Sequence, residues 1–416
     1  MRTDWRDTLF AKRKLGIRFD LAYLGQVLDA MRPGLRARPP FVVAQVVGTN
    51  GKGSTSAMLA HGLRGRVEGR VGLFTSPHLH RVGERVRVDG RAVDDEAIRL
   101  GIERVAVAEA DAGVSLSFFE ILTAVALERF VDAGCSHVVL EAGLGGRLDA
   151  TSVLPAALTL ITRIGLDHQE LLGPDIASIA AEKAAVIRPG VPVFSVEQRP
   201  AAAAVIAAFA AERGAPLHIV EPLARAPAGL PGAHQRHNAG LAWAGLEWLL
   251  AAGGGSPAEL SPRYFDELRW PGRLELVDAL IFDVAHNIDG VDALVAAMLA
   301  LELRPHAIVF GTQIGKATAQ MAARLRTLAP LWHVPPAGQG MTAADNEFGA
   351  QRAGERKFSG VDDPELLAAV AAARERGQKL LICGSHSLVG PLRAWALGLD
   401  PAGQDAPELS DPRVRG

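Results

Sequence analysis

The run Gly48-Thr49-Asn50-Gly51-Lys52-Gly53-Ser54-Thr55 follows the apolar stretch 41–47. A strand, a glycine-punctuated turn, a lysine and then hydroxyl residues opening a helix build a phosphate cradle. The glycines let backbone N–H groups converge on an anion, and a helix starting near Ser54 turns its positive end to the same point. Lys52 would reach the terminal phosphates, and Ser54 or Thr55 would offer a hydroxyl to Mg²⁺. The spacing departs from the common P-loop, with Val46 where its first glycine belongs and Gly53 where a hydroxyl residue should follow the lysine. Lysine is scarce here, with seven among 44 basic residues, so one inside a motif is a poor candidate for filler.

Further along, Glu141 closes the apolar run Val138-Val139-Leu140. An acid at the end of a buried strand near a phosphate loop suits a Mg²⁺ ligand or a water-orienting group. The plainer reading is a solvated strand end. Gly143, Gly145 and Gly146 behind it permit a close backbone approach to a ligand. His168 follows another β-run. Alone it reads as structural, but beside a strand-end Glu it suits a divalent ion bridging two phosphates. Lys183 lies among small apolar residues in 178–190. It is either a snorkelling surface lysine or a partly buried amine able to take up CO₂ as a carbamate. His234, Gln235 and Asn238 open a helix with polar groups of the kind that read an adenine. Arg273, Asp283 and His286 would contact ribose or phosphate across a cleft. Singly, each of these is as readily structural.

Elements must hold these groups together. Strand-like runs at 41–47, 71–74, 137–141, 158–164 and 191–196 alternate with helical patterns at 54–64, 94–111, 118–133, 175–187 and 200–213. The alternation predicts a mostly parallel sheet covered on both faces, with ligands beyond the carboxyl ends of its strands. The phosphate loop, Thr75-Ser76-Pro77-His78, Glu141 and Asp167-His168 all fall there. Residues 252–273 are a Gly- and Pro-rich break. After it, strands near 279–284, 306–310, 330–334 and 379–384 announce a second, shorter α/β series. The fold class is therefore α/β: an N-terminal P-loop domain over 1–268 and a smaller, Rossmann-like C-terminal domain over 269–400. The polar tail 401–416 is expected to be loose.

A chain of 416 residues calls for two domains, and 49% hydrophobic residues suffice for globular cores. A net charge of −2 gives no reason to expect nucleic acid or an anionic membrane as partner. Two distant cysteines, Cys135 and Cys383, form neither a disulfide framework nor a cysteine zinc site, which fits a cytoplasmic protein. No targeting segment is visible, and the alanine-rich run 201–211 is too short to span a bilayer.

GTNGKGST, TSPHL, FFEILTAVA, EAGLGGRLDATS, GLDHQELLG, EKAAVIRPG, HQRHNA, PGRLE and DVAHN stand in this order over roughly residues 45–290, with a weaker GSHSLVG at 384–390. Together they resemble the folylpolyglutamate synthase/dihydrofolate synthase family of the Mur-type ATP-dependent amide ligases. The resemblance implies ATP bound between two domains, with its phosphates on Gly48–Lys52. It implies one Mg²⁺ on Ser54 and Glu141, and a second on Glu141, His168 and carbamylated Lys183. A monovalent cation is a further implied cofactor.

The same resemblance places the folate loop at Thr75–Leu79 and the pterin pocket at Phe118, Phe119, Asp149 and Ala150. Gln235, Asn238, Arg273, Asp283 and His286 would hold adenine, ribose and phosphate. The implied reaction joins L-glutamate to dihydropteroate, to reduced folates, or to both, through an acyl phosphate, in a cytoplasmic monomer. Where the family has Asp-Lys-Asp this chain has Gly315-Lys316-Ala317, Ser387 replaces an aromatic, and Ile288-Asp289 stands where Pro is common. The alternatives are a Mur-type ligase for another acid and a non-catalytic ATP-binding switch.

Overall fold

The computed structural model describes residues 4–16, 20–253, 261–335 and 352–400. The expected loose tail 401–416, and part of the expected linker, lie outside the described residues.

The first sheet contains β1 (Val42–Val47), β2 (Arg70–Phe74), β3 (Val86–Val88), β4 (Arg91–Ala92), β5 (Cys135–Glu141), β6 (Leu158–Ile161), β7 (Val193–Val196) and β8 (Leu217–Val220). Their order is β4-β3-β2-β5-β1-β6-β7-β8. From β2 to β8 all pairings are parallel, whereas β3 and β4 add on antiparallel at the edge. The expectation of a mostly parallel sheet holds, with β3, β4 and β8 as additions. These three carry little apolar alternation: β8 keeps no buried residue and β4 is fully exposed.

Helices α1 (Trp5–Ala11), α2 (Ala22–Met31), α3 (Lys52–Leu63), α4 (Asp95–Ala112) and α5 (Phe118–Asp132) precede β5. Then come α6 (Gln169–Leu172), α7 (Ile176–Ala184), α8 (Pro200–Glu212) and α9 (His234–Ala252). Strand period decides the layering, since successive residues face opposite sides. Val43, Val138 and Leu140 join α2, α4 and α5 in one core. Ala44, Val46 and Val139 join α3 and α9 in the other. The run of buried residues along β1 and β5 is thus that of a sheet covered on both faces.

The second sheet holds β9 (Glu275–Val277), β10 (Leu280–Asp283), β11 (Ala307–Phe310), β12 (Leu331–His333), β13 (Arg356–Lys357) and β14 (Leu380–Cys383). Its order is β13-β12-β11-β14-β10-β9, parallel except for β9. Helices α10 (Ile288–Ala300) and α11 (Thr318–Leu325) cover one face, and α12 (Pro364–Glu375) and α13 (His386–Ala396) the other. Phe265 packs in a core of the first sheet and Leu274 in one of the second. The chain changes allegiance between them. Among the described residues no helix is long and apolar enough to cross a membrane.

Candidate active site

A cavity of about 670 Å³ opens between the two sheets, at the carboxyl ends of their parallel strands. The topology puts it there, because β1 lies between β5 and β6 and its outgoing loop faces the point where strand order reverses.

At one end lies the phosphate loop. Helix α3 begins at Lys52, two residues before the expected Ser54, and Gly51 caps it in the left-handed conformation at φ 92°. A Cβ on Gly51 would stand 2.2 Å from Asn238 Oδ1, so only glycine fits there. Thr49 and Asn50 already donate their amides to the Arg163 carbonyl. Within the expected cradle Gly48–Lys52, the amides of Thr49 and Asn50 are thus committed to the protein itself. Gly48, Thr49, Asn50, Lys52, Gly53 and Ser54 border the cavity, but Thr55 does not; it is buried against the Asn238 carbonyl.

Around this loop the candidate metal groups converge. Glu141 is buried, and its Oε2 accepts the Ser76 amide at 3.1 Å. Burial pushes its carboxyl up, while Lys52 and Arg273 pull it down. His168 sits at φ 50°, and burial with Lys316 nearby lowers its ring to about 3, so it stays neutral with a lone pair to give. Lys183 is buried with no hydrogen-bond partner for Nζ among the described residues, and burial and Lys52 lower it to about 7. Lys52 acts on Glu141, His168 and Lys183 alike, which puts all four in one electrostatic neighbourhood.

The donor set suits Mg²⁺. Among the described residues no three His, Cys, Asp or Glu side chains make a metal cluster by themselves. Glu141, His168 and the Ser54 hydroxyl offer oxygen and nitrogen donors on the phosphate side of the cavity, and Mg²⁺ is usually held by one or two carboxylates together with water and substrate phosphates.

Behind the loop, Gln235 Nε2 donates to Ser54 Oγ at 3.3 Å, and Asn238 Nδ2 donates to Gln235 Oε1 at 2.9 Å. This chain links α9 to the first turn of α3. His234, expected on the nucleotide, borders the cavity, and burial lowers its ring to about 4. Across the cleft, Asp283 accepts the Leu274 and Ala285 amides, both at 2.8 Å, and holds the turn carrying His286.

The sequence reading set Asp167 at a strand end but gave it no role. Its carboxylate meets Lys316 Nζ at 2.5 Å, Asn287 Nδ2 at 2.9 Å and His286 Nε2 at 3.5 Å, all from the second domain. Burial alone would raise its pKa; His286 and Lys316 hold it far below the usual carboxylate range instead. Asn50 and Asn287 exchange side-chain hydrogen bonds at 3.1 and 3.0 Å beside it.

At the other end the cavity is apolar with isolated polar groups. Ser76, Pro77, Phe119, Asp149 and Ala150 border it as expected, joined by Leu21, Ser117 and Glu120. Four expected residues do not border it: Thr75, His78, Leu79 and Phe118. His78 is buried and accepts from Arg85 Nε at 2.9 Å, Thr75 is buried too, and Phe118 stacks on Phe10 at 5.8 Å. Asp149 accepts four hydrogen bonds, from the amides of Gly143, Leu144 and Thr151 and the Thr151 hydroxyl, so it shapes the wall. Glu120 is different. Its Oε2 caps α5 through the Ser117 amide at 2.7 Å, while the buried Oε1 has no partner among the described residues. FFEILTAVA contains that residue, which the sequence reading gave no role; a Ser-x-x-Glu pattern at a helix start is explained by capping alone.

No family model matches the chain. It is 34% identical over 391 residues to the dihydrofolate synthase/folylpolyglutamate synthase of Escherichia coli, covering 87% of this chain and 88% of that one. The Bacillus subtilis protein of the same name is 30% identical over 432 residues, covering 94% and 98%. Among solved structures, E. coli FolC in complex with DHPP and ADP superposes with a TM-score of 0.81 at 29% identity, over 95% of this chain and 98% of that chain. The apo form of L. casei FPGS gives 0.78 at 26%, over 95% and 100%.

Proposed function

The chain belongs to the dihydrofolate synthase/folylpolyglutamate synthase family and is an ATP-dependent ligase that adds glutamate to a folate-type acid, and from that premise we propose how its residues share the work. The observation that carries the reading is one cavity with a phosphate helix and three ligand-like groups at one end and an unsatisfied buried carboxylate oxygen at the other.

ATP lies across the cleft. The loop amides from Gly51 onward and Lys52 take its phosphates, and Gln235, Asn238, Arg273, Asp283 and His286 surround the nucleoside. Ser54 and Glu141 would hold one Mg²⁺, and Glu141, His168 and carbamylated Lys183 a second. When bound, the ions neutralise phosphate charge and orient the transferred group. Lys183 meets the requirement for carbamate formation. A neutral amine adds to CO₂ and releases a proton, and an amine lowered to about 7 is substantially neutral in the cell.

The pteroate-type acid enters with its heterocycle against Phe119, Pro77 and Ala150, and Glu120 Oε1 accepts from the ring's N–H groups. Its carboxylate oxygen attacks the γ-phosphorus, the bond to the bridging oxygen breaks, and ADP leaves. The acyl phosphate so formed is then attacked by the glutamate amine. Loss of the amine proton and of phosphate gives the amide. Lys316, on the second domain's wall, supplies a cation for the amino acid's carboxylates. Protein groups contribute position and charge for two successive anionic transition states. A single chain supplies every group named, so we take the working unit as a monomer. Two buried free cysteines fit the cytoplasm.

Phosphate release from ATP with L-glutamate tests the reading, comparing 7,8-dihydropteroate with tetrahydrofolate. Release with both establishes two activities, and release with one names the single activity. Silence with both leaves the assignment of the acid pocket wrong.

A further inference from the structure

The segment 75–81 belongs to the first domain, yet part of it is built into the second. Leu79 is buried in the core formed by Val284, Leu388 and Val389. Gly390 of α13 faces its carbonyl so closely that a Cβ there would stand 2.4 Å from Leu79 O. Next to it, Arg393 Nη1 donates to His80 Nε2 at 2.8 Å. A guanidinium only donates, so the ring nitrogen must present its lone pair. The other arms of Arg393 form a fork on Glu275, at 2.7 and 2.6 Å. The fork fixes the plane of the guanidinium and hence the direction of its bond to His80.

The near end of the same segment lies at the reaction centre. Ser76 N donates to Glu141 Oε2, and Ser76 and Pro77 border the acid-binding end of the cavity. Glu84 fixes the far end by gathering the amides of Leu79, His80 and Arg81 at 2.9, 3.3 and 3.2 Å, and between the two ends His78 is buried and accepts from Arg85 Nε at 2.9 Å, which makes the connection stiff.

We infer that Arg393 is a positioning residue for the acid substrate: from the second domain, through His80 and Leu79, it sets the placement of Ser76 and Pro77 against Glu141. This rests on the ligase reading of the cavity. Arg393 touches no substrate, so its contribution falls on the affinity for the acid and leaves nucleotide binding alone.

The test uses the full chain as wild type, Arg393→Met, Arg393→Lys and Gly390→Ala. Amide hydrogen exchange over residues 76–81 reads the placement without any substrate. Arg393→Met and Gly390→Ala are expected to speed it about tenfold, the scale of one charged hydrogen bond, with β1 unchanged. In the ligase assay both should raise KM for the pteroate-type acid about tenfold and change KM for ATP less than about twofold. Arg393→Lys keeps a donor without the fork and should fall between. A purely structural role would move melting temperature and leave this KM split flat. Unchanged exchange in the segment overturns the inference, and so does faster exchange with an unaltered acid KM. If Arg393→Met does not fold, His80→Leu breaks the same bond from the other side. Should wild type release no phosphate with either acid, the ligase reading of the cavity falls, while the exchange data still judge the placement.

Discussion

Asp167 and Lys316 meet at 2.5 Å from opposite sides of the cleft, 149 residues apart in the chain. Lys316 is the remaining charged member of Gly315-Lys316-Ala317. It borders the cavity, and in the proposed reaction its ammonium meets the incoming glutamate. Lys316→Met is expected to raise KM for glutamate about tenfold or more while leaving KM for ATP nearly unchanged, the scale of one charged hydrogen bond. Steady-state kinetics with glutamate varied at saturating ATP and acid would show it, and an unaltered glutamate KM would remove Lys316 from the amino-acid site.

Lys183 carries a pH prediction. Its amine is lowered to about 7, so above that pH the neutral form prevails and the carbamate can form. As pH falls through about 7 the ammonium takes over and activity should drop, with added bicarbonate opposing the loss. Labelled ¹³CO₂ should give a carbamate carbon resonance in wild type that Lys183→Ala lacks. Lys183→Ala should lose about 100-fold or more in kcat, as expected for losing a metal-supporting group.

Gly51 tests the phosphate loop. A Cβ there meets Asn238 Oδ1 at 2.2 Å, and φ 92° is strained for any other residue. Gly51→Ala must displace Asn238 or unwind the first turn of α3, at roughly 1–3 kcal/mol. KM for ATP should rise by about tenfold or more, and isothermal titration with a non-hydrolysable nucleotide would measure it free of turnover.

Glu120 should tell pteroate from other acids. Glu120→Gln keeps shape and the cap of α5 in part but exchanges one acceptor oxygen for a donor. We expect KM for dihydropteroate to rise about 10- to 100-fold with melting temperature little changed. Equal loss with every acid tried would mean that Oε1 does not read the heterocycle.

Glu355 carries a stability prediction. It is buried with Arg326 Nε at 2.7 Å and His333 Nε2 at 3.4 Å. Burial alone would raise its pKa, but the hydrogen bonds of Arg326, the Arg352 amide and His333 bring it to about 2, below the ordinary 4.5. A depressed folded value stabilises above about 4.5 and is lost as pH falls toward about 2. Glu355→Gln should cost about 3 kcal/mol at pH 7 by denaturant unfolding and much less near pH 2.

The phosphate loop was readable because strand, glycine turn and lysine are contiguous. The parallel strands were readable because two-sided burial writes unbroken apolar runs such as 138–140. Phe118 and Phe119 show where reading stopped. They are neighbours on one helix, and distant packing partners, Phe10 and Arg85 on Phe118 and Phe74 on Phe119, accompany the turn of one ring to the core and the other to the cavity. Asp167 was passed over for His168 because its partners lie 120 and 149 residues away. Short β3, β4 and β8, at or next to the sheet's edges, escaped notice because they bury too little to leave a pattern.

Leu79 has one further consequence, for how such proteins can be recombined. By sequence it travels with the first domain, and by packing it belongs to the core of the second. A crossover between 265 and 274 that joined this first domain to a foreign second one would carry Leu79 and His80 onto a surface that had never matched them. Chimeras of this kind should fold in both halves yet stay poor catalysts until the α13 positions facing 79–80 are exchanged as well. The junction that looks simplest in the linear chain is therefore not the one at which the molecule divides.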